Sequence, residues 1–360
     1  MNNAETPKFG SAEYFRAHLA SNDIPKFVNR ELALKNAKRH YPVGIKEIDD
    51  ATRGGFVEGL SVMYAIPSAG KTALLGQFVY HTSLTSPVLI FELEMNRDDI
   101  ETRWITMQTY LNDPVNTIYA VSTDKLTSKP FIENASDTEW AHIEKAGVEA
   151  EKHLKNIYVF DASDGQFTAD RISETVEAFV KLSPIPPVVI VDSIQYIPSS
   201  EKTMTWTEKK QLDYSLHILA DLAHKYRLLV FAVSIMTKNT FSNKQADFEA
   251  LCGSNLLSYG ADNIYSLSFH NTDDIDAERR KPEREVDLTL KKSRNSGVGD
   301  VVNLIFRSQF MHFSHNSNPT KPPEKKKKTD KKQPKEETNG FEKVQKDDDC
   351  PFEQLTIENV

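Results

Sequence analysis

Val62-Met63-Tyr64-Ala65-Ile66-Pro67-Ser68-Ala69-Gly70-Lys71-Thr72-Ala73-Leu74-Leu75 decides how the chain folds. Val62 to Ala65 is a short apolar run and reads as a buried strand. A loop carrying Pro67 and Gly70 follows, then a helix-forming stretch that starts near Lys71. Strand, glycine-bearing loop and helix in that order make a cradle for phosphate groups. Gly70 lets backbone amides approach phosphate oxygens, and the helix N-terminus directs its dipole at them. Lys71 reaches the β- and γ-phosphates, and the Thr72 hydroxyl ligates magnesium. Ala65 stands where such loops usually have their first glycine. The loop Ala65, Ile66, Pro67, Ser68, Ala69, Gly70, Lys71 and Thr72 is therefore the expected binding site for ATP and Mg2+.

A magnesium-nucleotide site also needs a carboxylate at the end of a neighbouring strand. Asp192 follows the apolar run Val188-Val189-Ile190-Val191 and fits that role, as a metal ligand beside Thr72. Hydrolysis further needs a base for water. Leu89-Ile90-Phe91-Glu92-Leu93-Glu94 offers Glu92 and Glu94, which strand alternation would place on the same side. Residues alone leave both open.

Further apolar runs, Val88 to Phe91 and Leu228 to Val233, alternate with helical patterns over Asp98 to Tyr110, Thr138 to Leu154 and Gln211 to Lys225. This alternation implies an α/β fold with a mostly parallel central sheet, whose ligands bind at the carboxyl ends of the strands. Val286 to Leu290 and Val301 to Phe306 read as antiparallel strands joined by a turn at Asn295-Ser296-Gly297. The ATPase core is thus expected over residues 41–315. Residues 1–40 read as a docking segment with a short amphipathic helix over Glu13 to Ala20. Residues 316–360 read as a disordered charged tail, with a basic block Lys325 to Lys328 and an acidic end.

Composition sets the limits. The chain has 360 residues and a formal net charge of −8, which argues against a general nucleic-acid coat but allows local basic loops. Its two cysteines, Cys252 and Cys350, suggest neither a disulfide framework nor a metal cluster, so a reducing, cytoplasmic compartment is expected. No run approaches the ~20 apolar residues of a membrane span, and the N-terminus lacks a secretory pattern, so no membrane partner is expected.

With these residues placed, the chain resembles the C-terminal motor domain of the DnaB-type replicative helicases, a branch of the RecA-like P-loop ATPases. The matching blocks run in order. They are Tyr41-Pro42-Val43-Gly44-Ile45-Lys46-Glu47-Ile48-Asp49, the phosphate loop, Phe91-Glu92-Leu93-Glu94-Met95, Val191-Asp192-Ser193-Ile194-Gln195, Ala261-Asp262 and Lys292-Ser293-Arg294-Asn295. Thr138-Glu139-Trp140 and Asn156-Ile157-Tyr158-Val159 resemble the connecting region. The family's Ser-Leu-Glu-Met block carries the catalytic base, which favours Glu94 over Glu92. Its Lys-x-Arg-Asn element reaches into a neighbouring subunit's site. The resemblance therefore implies Arg294 as a trans-acting finger, supported by Lys292, and catalysis by Glu94, Lys71 and Asp192.

The resemblance implies an ATP-hydrolysing DNA helicase or translocase acting on single-stranded DNA in replication, as a homo-oligomer, a hexameric ring. Its DNA-facing loops would fall at Ser199 to Lys210 and Thr237 to Ala250. Lys202, Lys209, Lys210, Lys238 and Lys244 would meet the backbone there, and Trp206 and Phe241 would stack on bases. The chain also departs from the family. Ser234-Ile235 stands where the family has Ser-Gln, and Leu251-Cys252-Gly253-Ser254 replaces most of Arg-Glu-Ser-Gly. Only residues 1–40 precede the motor, where full-length members carry a helical domain that helps form the ring and contacts primase. The tail's Asp347-Asp348-Asp349-Cys350-Pro351-Phe352 resembles the acidic tip of bacterial single-stranded-DNA-binding proteins and suggests contacts with replication proteins. Two other readings stand beside the motor: a recombination or annealing accessory ATPase without unwinding, and an ATP-switched loader or adaptor.

Overall fold

The apolar run before the phosphate-type loop lies at the middle of a nine-stranded sheet. The computed structural model describes residues 8–115, 117–235, 260–271, 273–294, 298–299 and 301–319. The expected turn at Asn295-Ser296-Gly297, the tail from 320 onward with its acidic tip, and Lys238, Phe241 and Lys244 lie outside the described residues.

The chain begins with α1 (Ala12–Ala17), α2 (Pro25–Val28) and α3 (Arg30–Asn36). Ser11 caps the first by accepting the Tyr14 N–H, and Asn29 caps the third by accepting those of Glu31 and Leu32. The helix expected over Glu13 to Ala20 ends earlier, at Ala17. The turn-forming Ser21-Asn22-Asp23 takes over there, with the Asn22 amide on the Arg16 carbonyl at 2.9 Å. None of these helices buries a residue, and Phe9, Phe15, Phe27 and Leu34 are exposed. Arg227 helps fasten the segment. Its guanidinium binds Glu58 at 2.8 Å and donates to the carbonyls of Lys35, Asn36 and Ala37, the orphan acceptors at the end of α3.

The core follows the small antiparallel pair β1 (His40–Tyr41) and β2 (Phe56–Val57), which brackets α4 (Lys46–Ala51). It runs β3 (Gly59–Ala65), α5 (Lys71–Thr82), β4 (Val88–Glu92), α6 (Arg97–Asn112), α7 (Thr123–Leu126), α8 (Lys129–Asn134), α9 (Asp137–Leu154) and β5 (Ile157–Phe160). Then come α10 (Ala169–Leu182), β6 (Val188–Asp192), α11 (Glu208–Tyr226), β7 (Leu229–Ile235), β8 (Asn263–Phe269), α12 (Ile275–Arg280), β9 (Glu283–Ser293), β10 (Val301–Arg307) and β11 (His312–His315). The sheet order is β11-β10-β9-β8-β3-β7-β6-β4-β5. Pairings from β8 through β5 are parallel, and those from β8 to β11 antiparallel.

Every residue of β3, β4 and β6 is buried, as in a parallel sheet covered on both faces. Alternate residues feed opposite cores. Met63 and Ala65 pack with Leu74, Phe78, Trp104, Phe231 and Tyr265 beneath α5 and α6. Leu60, Val62 and Tyr64 pack with Ile172, Val176, Leu216 and Leu219 of α10 and α11. The expected strands and long helices thus form as α/β layers. The sequence reading did not single out β8 or β11 as strands, and treated Ile157-Tyr158-Val159 only as part of a connecting block.

Asp262 ties the amino end of β3 to its neighbours. Its buried carboxylate accepts the Leu60 N–H at 2.8 Å, meets His224 Nε2 at 2.8 Å and lies 3.4 Å from the Arg294 guanidinium. Substituting Asp262→Ala orphans a buried N–H and is expected to lower unfolding stability by about 1–3 kcal/mol in urea titrations. A change no larger than the ~0.5 kcal/mol of an ordinary surface substitution would show that this carboxylate is not a staple.

Candidate nucleotide site

The carboxyl ends of β3, β4 and β6 meet at one edge of the sheet. The first of them leads into the phosphate-type loop. Ala69 N–H closes a turn onto the Ile66 carbonyl, and Ser68 and Gly70 take positive φ values of 70° and 96°. Gly70 is required on two counts. Its backbone is left-handed, and a Cβ there would lie 2.7 Å from both Phe306 and Phe313. Those rings stack at 4.4 Å on the β10–β11 hairpin, so the antiparallel end of the sheet buttresses the loop. Helix α5 starts at Lys71, immediately after Gly70.

Four sequence-selected side chains converge here. The Thr72 hydroxyl donates to Asp192 Oδ2 at 2.7 Å. Lys71 Nζ lies 3.5 Å from Glu94 Oε2 and 3.8 Å from Asp192 Oδ1. Asp192 is 3% exposed, and its Oδ1 is buried without a hydrogen-bond partner. Burial pushes the Asp192 carboxyl up, against the opposing pull of Lys71 and the Thr72 hydrogen bond. An orphaned carboxylate oxygen next to a hydroxyl suits a small hard cation. Magnesium characteristically takes only one or two protein ligands and completes its shell with phosphates and water. Thr72 and Asp192 fit it, and among the described residues no cluster of three or more His, Cys, Asp or Glu side chains could hold a metal.

The two candidate bases separate. Strand β4 ends at Glu92, so strand alternation does not carry through to residue 94. Glu92 is buried beside Asp192, its partner in register, whereas the Glu94 side chain is 43% exposed and faces Lys71. Burial, and then the Asp192 charge, push the Glu92 carboxyl up to about 8. Glu92 is buried with its Oε1 taken by the backbone N–H groups of Glu94 and Met95, whereas Glu94 faces the loop, so the geometry favours Glu94.

Beside the loop opens a cavity of about 560 Å³, lined by Lys71, Thr72, Arg103, Arg280, Arg284 and Phe306 among others. Arg284 donates to the Ser68 carbonyl at 2.6 Å and Arg279 to that of Pro67 at 3.3 Å. The sequence reading missed this group. The signal was the basic run Arg279-Arg280-Lys281 followed by Arg284 at the start of an alternating strand.

Other expected site residues lie elsewhere. In register, Lys292 pairs with Ile264, whose β3 partner is Val62, and Arg294 follows Ser293, the partner of Asn263. Both therefore lie toward the amino ends of β3 and β8, away from the Ala65 end that carries the loop. Lys292 Nζ donates to the Ala261 carbonyl at 2.7 Å. Lys202, Lys209 and Lys210 are exposed in the segment that follows β6. Lys202 lies 4.6 Å over the Tyr214 ring and Lys210 4.0 Å over the Trp206 ring. One face of the expected stacking platform Trp206 is thus taken by its own chain. At the start of the second loop, Gln195 Nε2 donates to Ser234 Oγ at 2.8 Å, and its Oε1 accepts the Ile235 N–H at 3.1 Å.

Over residues 41–315 the chain matches the family described as the DnaB-like helicase C terminal domain. It is 26% identical over 289 residues to the replicative DNA helicase DnaB of Mycoplasma genitalium, covering 77% of this chain and 56% of that protein. It is 24% identical over 307 residues to the replicative DNA helicase DnaB of Mycoplasma pneumoniae, covering 81% and 59%. The chain therefore spans a little over half the length of these relatives. Among solved structures, one ATPase domain superposes with a TM-score of 0.67 at 21% identity, over 86% of this chain and all of that one. A DnaB-like replicative helicase, solved in a study of its interactions with primase, gives 0.66 at 22% identity, over 80% and 67%. These likenesses establish the RecA-like ATPase fold.

The Glu92 shift predicts a pH dependence. The unfolded chain ionises this carboxyl near 4.5 and the folded chain near 8, so the folded state holds the extra proton and loses stability as pH rises across that window. Glu92→Gln is permanently neutral, and its melting temperature relative to wild type is expected to climb between pH 5 and pH 8. A constant difference across that range would refute the shift.

Proposed function

The chain belongs to the DnaB-like helicase C-terminal domain family, and from that membership we propose an ATP-driven helicase or translocase motor that acts on single-stranded DNA in replication. The observation that carries the proposal is the convergence of Lys71, Thr72, Glu94 and Asp192 at the carboxyl edge of the sheet. It supports the following roles. The loop Ala65 to Thr72 wraps the phosphates, with Lys71 on the β- and γ-oxygens. Thr72 and Asp192 hold magnesium, which neutralises charge on the phosphates. Glu94 accepts a proton from the attacking water. The cavity lined by Arg280 and Arg284 takes the remainder of ATP.

Arg294 and Lys292 are assigned to the site of a neighbouring copy, since their own loop lies at the other end of β3. A repeated head-to-tail contact of this kind forms a ring when the rotation between copies closes, and a hexamer is the proposed assembly. Lys202, Lys209 and Lys210, with Lys238 and Lys244, are proposed to meet the DNA backbone. Residues 1–40 are proposed as a docking segment, 41–315 as the motor and 316–360 as a tail whose acidic tip recruits replication proteins. The proposed setting is the cytoplasm.

Unwinding of a forked duplex with ATP and magnesium tests the motor. Wild type is expected to displace the strand, while Glu94→Gln should lose about 10²- to 10⁴-fold of its turnover and all displacement. Turnover without displacement would instead support an accessory or loader ATPase, and no turnover at all would remove the hydrolase reading.

The trans assignment has its own test. Arg294→Ala alone should cut ATPase by about 10³-fold or more. Mixing Arg294→Ala with Glu94→Gln subunits is expected to restore partial activity, because some interfaces then pair an intact finger with an intact base. No recovery at any mixing ratio would place Arg294 outside the neighbouring site.

A further inference from the structure

Glu92 occupies a place where a carboxyl is expensive. It is 2% exposed, and its strand neighbour in register is Asp192, another buried carboxyl. Two acids side by side away from water repel when ionised, and each resists ionisation. Some local contact must offset this cost.

The hydrogen bonds identify that contact. Glu92 Oε1 accepts the N–H of Glu94 at 3.2 Å and of Met95 at 3.1 Å. The intervening Leu93 N–H goes to the Asp192 carbonyl at 2.8 Å. Three consecutive backbone donors are therefore tied down immediately after β4. One is held by the metal-ligand strand and two by Glu92. The bend fixed in this way sets the direction of the Glu94 side chain, whose Oε2 stands 3.5 Å from Lys71 Nζ.

We propose that Glu92 is the positioning residue for Glu94: by accepting the N–H groups of Glu94 and Met95, it fixes the bend that aims the Glu94 carboxylate at the phosphate loop. The inference rests on the hydrolase reading above. Glu92 touches neither water nor nucleotide in this role. Its contribution is geometric, and a base displaced by ~1 Å can lose up to about 10²-fold in rate.

The test compares Glu92→Ala, Glu92→Gln and wild type as full chains, with unfolding curves to confirm that each folds. Glu92→Ala removes the acceptor. Its kcat is expected to fall about 10- to 100-fold, while its KM for ATP stays within about twofold. Glu92→Gln keeps the acceptor oxygen and cannot ionise, and is expected to recover kcat to within about threefold of wild type. Amide hydrogen exchange, read without nucleotide, should be faster at Glu94 and Met95 in the alanine variant and near wild type in the glutamine variant. Wild-type kcat in Glu92→Ala, an equal loss in Glu92→Gln, or unchanged amide protection would each overturn the proposal. An inactive wild type would instead overturn the hydrolase reading, and the exchange measurement would still decide whether Glu92 holds the bend.

Discussion

The ammonium of Lys71 is the charge on which the functional edge of the sheet depends. It stands 3.5 Å from Glu94 and 3.8 Å from Asp192, with Glu92 buried alongside. Three carboxyl groups at the ends of two paired strands cannot all ionise cheaply. At ~4 Å and an effective dielectric of ~20, each pair of unit charges interacts by about 4 kcal/mol. Lys71 offsets one negative charge, and the raised ionisation of Glu92 removes another near neutral pH. The Thr72 hydroxyl supports what remains on Asp192. On the proposed reading, Lys71 can turn toward phosphate oxygens only if a cation takes its place beside Asp192. The unpartnered Oδ1 is where that cation fits.

What was legible in the sequence was whatever local chemistry forces. A strand, a loop with Gly70 and a helix beginning at Lys71 have few other meanings, and Asp192 stands out because an acid ends a fully apolar strand. What was illegible depended on partners far along the chain. Strand β8 alternates serine with apolar residues, so it lacks the continuous apolar run that marks a buried strand. In fact it lies between β3 and β9, and both faces of its middle are covered. Arg279 and Arg284 acquire meaning only when the fold brings them to the Pro67 and Ser68 carbonyls. Glu92 and Glu94 are a subtler case. Alternation is sound within a strand, but nothing local announces that β4 stops at Glu92.

The sheet also accounts for the proposed sharing of the site between two chains. Parallel strands put the carboxyl ends of β3, β4 and β6 together, while the antiparallel β9 returns its basic end to the other edge. There Asp262, His224 and the Lys292–Ala261 contact organise the region around Arg294. A positive charge held at the far edge is of no use to its own phosphate loop. It suits a site formed when a second copy presents its loop to that edge. The same topology thus separates the two halves of the proposed chemistry and makes assembly a condition for joining them.

The end of β7 is tied to the turn after β6 by one side chain. Ile235 carries no polar side-chain group where the resembling family has glutamine. Gln195, three residues beyond Asp192, bonds to the Ser234 hydroxyl and the Ile235 N–H. A backbone donor cannot be removed by substitution with any residue except proline, so this link tolerates variation at position 235. It also joins the strand that carries the proposed metal ligand to the strand that leads into residues 236–259.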